Sequence, residues 1–331
     1  MTFDEHKFSN SDIVGWEQLG SRAVYGLTLR ELARENKSVI ALSADLIKSS
    51  GLDRMSRDLP SQTINVGISE QNLIGVASGM AAAGLIPFVS SFAPFLTQRA
   101  NEQIRMNLGY MECNVKLVGL GSGLAMGFLG NSHYGTEDIA VLRSIPNLHI
   151  YSPADAASLV KIMNQVVLST EPVYIRLTGI PGYRRVYDEI PELKLSGVNL
   201  LRLGQDAVVF ATGTMVRQAL DCSEILKSQG IHISVIDTFK IKPLQPNIVS
   251  SFLTSQSPVI TIEEHSIIGG LGSVVAEILS EQGYPSGHLR IGLQDSYGLT
   301  SDYQSLLEVH GLTATKLANS ISVFLEQENE L

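Results

Sequence analysis

Glu70 stands in TINVGISEQNLIGVASGMAAAGL, residues 63–85, between an apolar strand-like run ending at Ile68 and a helix rich in Ala and Gly. Both flanks are built for burial, so two opposed influences act on this acid. Apolar surroundings raise a carboxyl pKa, while the free N–H groups of a helix start lower it. As an ordinary first-turn acid, Glu70 is favoured by the macrodipole, typically by about 0.3–1 kcal/mol. If desolvation prevails, it keeps a proton at neutral pH and can donate a hydrogen bond. Phe92 and Phe95, three residues apart in SSFAPF, read by themselves as core packing. Asp45 in SADL ends a strand, a place for a turn or capping acid. His133 lies in GNSHYGTEDIA, in a loop before a helix that Thr136 is placed to cap, with Glu137 and Asp138 in the first turn. A loop histidine is ordinarily just solvated, yet its titration near neutrality also suits proton transfer. Arg22, in GSRAVYG, begins a helix, where a cation opposes the dipole.

The elements that must position these residues follow from the periodicity of the apolar ones. Tyr25, Leu29, Leu32 and Ala33 share one face of a helix over 20–36. SVIAL, TINVGI, IPFVSSF, VKLVGL, LHIYSP and PVYIRL read as strands. Between them fall a helix capped by Ser69 and running to about Ala83, a helix carrying NEQIR, and one at about 154–168. Gly75 and Gly79, one turn apart, give the first of these a smooth face for close packing. Strands alternating with helices predict a parallel sheet covered on both faces. GIPGYRRVYDEIPELKLSGVN (179–199) is rich in Gly, Pro and charge and reads as a linker. The alternation then resumes with DAVVFATG, a helix over 214–229, HISVID, SPVITIEE and a helix over 269–281. The fold class is therefore α/β. A first domain at about 1–185 and a second at about 195–331 each hold a mostly parallel sheet flanked by helices. In such open sheets ligands bind beyond the carboxyl ends of the strands.

Bulk properties narrow the function classes. The chain has 331 residues, is 44% hydrophobic and 17% charged, and so can bury a large core. A net charge of −9 without a Lys/Arg cluster argues against nucleic-acid binding. Cys113 and Cys222 are too far apart in sequence for a zinc-type spacing or a disulfide framework. The start, MTFDEHKFSN, has no signal-peptide core, and Gly and Ser break the apolar runs, so a cytoplasmic protein without a membrane span is expected.

SADL, GISEQN with its small-residue helix, SSFAPFLTQRANEQIR, GNSHYGTEDIA, YSPADA, EPVYIRL, ATGTMV, IKPL and EEHSIIGGLGS occur in one order along nearly the whole chain. This ordered set resembles the transketolases and, more narrowly, the C-terminal subunit of the split, two-chain transketolases. The resemblance implies a pyrimidine-binding domain followed by a transketolase C-terminal domain, and thiamine diphosphate as cofactor. It assigns Glu70 to a ring nitrogen of the aminopyrimidine, where it favours the imino tautomer that deprotonates the thiazolium carbon. It assigns Phe95 to stacking on that ring, with Phe92, Ile68 and Asp45 beside the cofactor. His133 matches a histidine that handles the donor's hydroxyl proton, and Arg22 an arginine that grips an acidic substrate end.

The departures from the family pattern cluster on the substrate side. Where sugar-phosphate transketolases carry an acidic pair, this chain has Phe128–Leu129 before Gly130, so Leu129 becomes a substrate-side residue. Basic residues that meet phosphate in relatives fall at Gly179 and near Gly121, and a third aromatic is replaced by Gln98. Losing charged phosphate contacts removes strong recognition, so the expected acceptor is less phosphate-dependent and belongs to specialised metabolism. No GDG motif occurs, so the resemblance implies a partner N-terminal transketolase-like subunit that carries GDG and ligates Mg²⁺, in an α2β2 heterotetramer. The β subunit of an α-keto-acid dehydrogenase is the alternative, although NEQIR and IKPLQP fit split transketolases better. Two further rivals are a dinucleotide-binding oxidoreductase, from IIGGLGSVV, and a non-catalytic subunit that has kept the fold. EEHS (263–266) reads as a polar loop that helps pair subunits.

Overall fold

The structure, a computed structural model, describes residues 8, 10–194, 196–254 and 256–329. Among these, twelve strands form two sheets. They are β1 Val39–Ser43, β2 Thr63–Asn65, β3 Ile86–Phe92, β4 Lys116–Leu120, β5 His149–Tyr151 and β6 Val173–Arg176. In the second half come β7 Asn199–Arg202, β8 Ala207–Ala211, β9 Ile233–Asp237, β10 Lys240–Lys242, β11 Val259–Ser266 and β12 His288–Leu293. The first sheet runs β10-β5-β6-β4-β3-β1-β2 and the second β12-β11-β8-β9-β7. Every pairing is parallel except those of the edge strands β10 with β5 and β7 with β9. Central strands such as VIALS and AVVFA are buried along their whole length, as a sheet covered on both faces requires.

The chain passes from β1 to β2 on one side and then to β3 on the other, so the strand order reverses at β1. That is where an open parallel sheet leaves a crevice at its carboxyl ends. The helix Ser21–Glu35 turns Tyr25, Leu29, Leu32 and Ala33 inward as its spacing predicts. Ser69 does precede the helix Glu70–Ala82, but its hydroxyl donates to Val66 O at 3.1 Å and does not cap it. The helix after the histidine loop is Asp138–Arg143; Glu137, not Thr136, occupies its N-cap position.

The segment read as a linker is docked. Asp155 caps the helix Ala156–Val166 through Ser158 N–H at 2.9 Å, and its other oxygen accepts Val186 N–H and Tyr187 N–H, both at 2.8 Å. Tyr187 then donates to Asp237 at 2.7 Å, tying the crossover to the second sheet. Strand β10 goes further, since it comes from the second half of the chain and extends the first sheet. Three residues are too few to show a strand period, so sequence reading misses it. Among the described residues no helix is long and apolar enough to cross a membrane.

Candidate active site at the carboxyl ends of the first sheet

Four carboxyl ends converge on one region. After β1, Asp45 adopts a left-handed backbone (φ 58°) and exchanges two hydrogen bonds with Asn65 at the end of β2: Asp45 N–H to Asn65 Oδ1 at 2.9 Å and Asn65 Nδ2 to Asp45 Oδ1 at 3.0 Å. After β2, Ile68 is 79% exposed and Glu70 opens its helix almost fully buried. After β3, the chain enters a π-helical turn, Phe95–Arg99, a form that recurs at functional sites. After β4 comes the loop that carries Leu129 and His133.

Arg99 ties these ends together. Its Nη1 lies 2.9 Å from Glu70 Oε2, and its guanidinium stands 4.3 Å from the centre of the Phe95 ring. The Phe92 and Phe95 rings meet edge to face at 5.9 Å, and His133 packs against both, at 5.6 and 5.1 Å. Ser132 Oγ holds His133 Nδ1 at 3.0 Å. Gln98, which replaces the third aromatic, donates to Glu137 at 3.3 Å. So Glu70, Phe92, Phe95 and His133 form one contiguous cluster through Arg99, while Asp45, bonded to Asn65, and Ile68 are exposed at the ends of the neighbouring strands. The apolar junction expected around Glu70 is modified by Arg99, which compensates the acid's charge in this state. Sequence reading gave Arg99 no role, because nothing local marks a partner 29 residues away.

Arg22 lies apart from this cluster. It lines a cavity of about 350 Å³ with Ser21, Lys48, Ser49, Gly51, Gly179 and Pro181. Burial lowers the Arg22 pKa, and among the described residues neither Arg22 nor Lys48 forms an ion pair. The glycines at the two family phosphate positions are structurally constrained. Gly179 has φ +78°, and a Cβ there would meet Thr214 Cγ2 at 2.7 Å; at Gly121, φ +62°, it would meet Met126 Cγ at 2.5 Å. Met126 is buried beneath the loop, whereas Phe128 (70% exposed) and Leu129 face outward.

EEHS is not a polar loop. It is the buried end of β11 and meets the first sheet within this chain. Glu263 accepts Leu271 N–H at 2.7 Å and Gly272 N–H at 2.8 Å, and a Cβ at Gly270 would lie 2.0 Å from its Oε2. A carboxylate therefore occupies the helix start where a dinucleotide phosphate would have to sit, which removes the oxidoreductase rival.

A buried carboxyl, linked through Arg99 to a pair of edge-to-face rings, thus stands at the reversal point of a parallel sheet in a two-domain α/β chain. Two family models match: transketolase, pyrimidine binding domain, over residues 17–179, and transketolase, C-terminal domain, over residues 196–317. The chain is 37% identical over 308 residues to a 6-deoxy-6-sulfo-D-fructose transketolase subunit of Clostridium sp. strain MSTE9, covering 93% of this chain and 95% of that one. It is 34% identical over 302 residues to an apulose-4-phosphate transketolase subunit of Phocaeicola vulgatus, covering 91% and 96%. A solved split-gene transketolase, described as an inactive β4 tetramer, superposes with a TM-score of 0.83 at 38% identity, over 92% of this chain and 98% of that one. The chain belongs to the transketolase family as a subunit of the split type, a transferase that works with a second subunit. The family implies thiamine diphosphate. The residues fit it: Glu70 Oε1 accepts no hydrogen bond among the described residues, and two aromatic rings lie alongside.

Proposed function

We propose that this chain provides the pyrimidine side of a thiamine diphosphate site and, with its partner, transfers a two-carbon ketol unit between carbonyl compounds. The observation that carries this reading is the contiguous set Glu70, Arg99, Phe95 and His133 at the carboxyl ends of β2, β3 and β4. When bound, the cofactor supplies the nucleophilic carbon and the electron sink. The chain's own residues do the rest. Glu70 holds a ring nitrogen of the aminopyrimidine once Arg99 has moved aside, and Phe95 and Phe92 keep water from that ring. Asp45 and Ile68 form the rim. His133, steadied at Nδ1 by Ser132, takes and returns the proton of a substrate hydroxyl through Nε2.

The diphosphate and Mg²⁺ fall to an N-terminal transketolase-like partner with a GDG motif, in an α2β2 assembly. Support comes from the outward face of the helix Glu70–Ala82. Gly75 and Gly79 there have nothing within 4 Å of a built Cβ, and exposed Ile68 lies near them in sequence.

On the substrate side, Arg22 and Lys48 grip at most one acidic end, and the outward Phe128 and Leu129 give the acceptor an apolar wall. The names of two relatives, a sulfo-fructose and an apulose-phosphate transketolase subunit, suit an anionic end that varies between enzymes. An acceptor less dependent on phosphate, in specialised cytoplasmic metabolism, completes the reading. The transketolase relatives do not favour the keto-acid dehydrogenase alternative.

The test is to co-purify the chain with its GDG partner, add thiamine diphosphate and Mg²⁺, and measure turnover on pentose phosphates, other ketoses, apolar aldehydes and keto acids. Efficient turnover of xylulose 5-phosphate with ribose 5-phosphate would refute the atypical acceptor. In the same complex, Glu70→Gln should keep the fold and lose proton exchange at the thiamine C2 position. Normal exchange would sink the assignment of Glu70.

A further inference from the structure

The loop that carries His133 is held on both sides, mainly by groups at the end of β11 in the second sheet. Glu264, near the end of β11 and fully buried, reaches across the chain with its carboxylate. Its Oε1 accepts Leu124 N–H at 2.6 Å, and its Oε2 accepts Tyr303 OH at 2.6 Å and Thr214 Oγ1 at 2.7 Å. Leu124 follows Gly123, which exchanges two backbone hydrogen bonds with Gly135, at 2.8 and 3.1 Å. Gly135 is two residues beyond His133. A Cβ at Gly123 would lie 2.3 Å from Glu264 Oε1, so this close approach needs glycine. The flanks are fixed as well: Ser266 N–H donates to Thr136 O at 2.8 Å, and Ala140 N–H to His265 Nε2 at 3.3 Å.

Burial and the hydrogen bonds act oppositely on Glu264. Burial raises its pKa, while the bonds from Tyr303 and Thr214 and the charge of Arg176 work the other way. Arg176, at the end of β6, donates to both Gly135 O at 3.0 Å and Glu264 O at 2.7 Å, and so joins the two ends of the arrangement. A carboxylate bonded at once to this loop and to the elements beneath it does more than glue two sheets together. It fixes where that loop can sit.

We propose that Glu264 is a positioning residue for ketol transfer, and that Tyr303 and Thr214 orient its carboxylate so that the loop segments paired at Gly123 and Gly135 hold His133 against Phe92 and Phe95. The inference rests on the proposed role of His133. Its test is a double-mutant cycle in the assembled, cofactor-loaded two-chain complex, using His133→Ala, Tyr303→Phe and Glu264→Gln. Tyr303→Phe removes a single hydroxyl and is the milder perturbation if Glu264→Gln fails to fold. A displacement of about 1 Å can cost up to roughly a hundredfold in rate, and loss of one of three anchoring bonds should lower kcat on the order of tenfold. Thiamine diphosphate affinity should stay within about twofold, because Glu264 is not among the contacts of Glu70 or Phe95. In the His133→Ala background, Tyr303→Phe should cost less than about twofold more, since a positioning residue has nothing left to position. Multiplicative losses, equal losses of cofactor affinity, or an unchanged kcat in Tyr303→Phe would each overturn the inference. An impaired His133→Ala complex combined with any of these results sinks this inference alone. A His133→Ala complex with wild-type turnover sinks the role of His133 and this inference with it.

Discussion

Asp138→Asn removes one charge from the most deeply buried ion pair described in the chain. Both Asp138 and Arg176 are inaccessible to solvent. Arg176 Nε lies 2.9 and 3.0 Å from the two Asp138 oxygens, Tyr174 OH donates to Oδ2 at 2.6 Å, and Ile139 N–H to Oδ1 at 3.1 Å. Asparagine keeps one acceptor and nearly the same shape, so packing is preserved and the change is mainly electrostatic. Burial is the strongest single influence on Arg176 and works against its charge, but Asp138 together with Tyr174 and Glu264 more than offsets it and holds the Arg176 pKa above its ordinary value. Without Asp138, the guanidinium keeps two neutral carbonyls and the more distant field of Glu264. Breaking a buried pair on one side costs about 3–5 kcal/mol. The remaining partners place this case toward the lower figure, which for a chain of 331 residues corresponds to a fall in Tm of about 4–5 °C. Glu277→Gln is the control. Its partner Arg143 is at the surface, 2.9 Å away, and such a pair is worth roughly 0–1 kcal/mol. Melting followed by circular dichroism and by fluorescence of the single tryptophan, Trp16, reads both variants. If Asp138→Asn melts within about 2 °C of the control, burial of this pair does not carry the stability argued for it.

Other perturbations test the site and the pH response. Arg99 holds Glu70 and covers Phe95 where a flat heterocycle would have to bind, and its side chain is half-exposed, so the contacts it loses are worth about 1 kcal/mol. Arg99→Met should therefore tighten thiamine diphosphate binding to the assembled complex by up to about fivefold, read by titration; weaker binding would mean that Arg99 itself contacts the cofactor. Burial pushes the Asp237 pKa up to about 8, despite the hydrogen bond from Tyr187. An acid with a raised folded-state pKa binds more protons when folded, so its contribution to stability is lost as pH climbs from its ordinary range near 4 to about 8. Asp237→Asn keeps the acceptor for Tyr187 and should gain on the wild type progressively between about pH 5 and pH 8. A stability difference that stays flat across that window would contradict the assignment.

Much of the site was legible because residue type and chain order carry it. Glu70, Phe92, Phe95 and His133 stand at the ends of strands whose apolar runs are readable, and the structure gathers them into one cluster. The same local signals misread Ser69 and Thr136 as caps, because a hydroxyl near a helix start can turn to another backbone group. They also misread EEHS as a subunit-pairing loop, because polar side chains in a row look solvated until a partner sheet covers them.

By itself, the sequence determined the alternation of strands and helices, the parallel sheets, and the acid, rings and imidazole at their carboxyl ends. These follow from periodicity and residue chemistry, which act over a few neighbours. Only the tertiary structure decided that Arg99 compensates Glu70, that β10 crosses to the first sheet, and that Glu264 and Arg176 clamp the His133 loop. Those are pairings of charge and backbone across 29 to 140 residues. A buried ion or an edge strand is satisfied by whatever the fold brings to it, and no spacing along the chain records that partner.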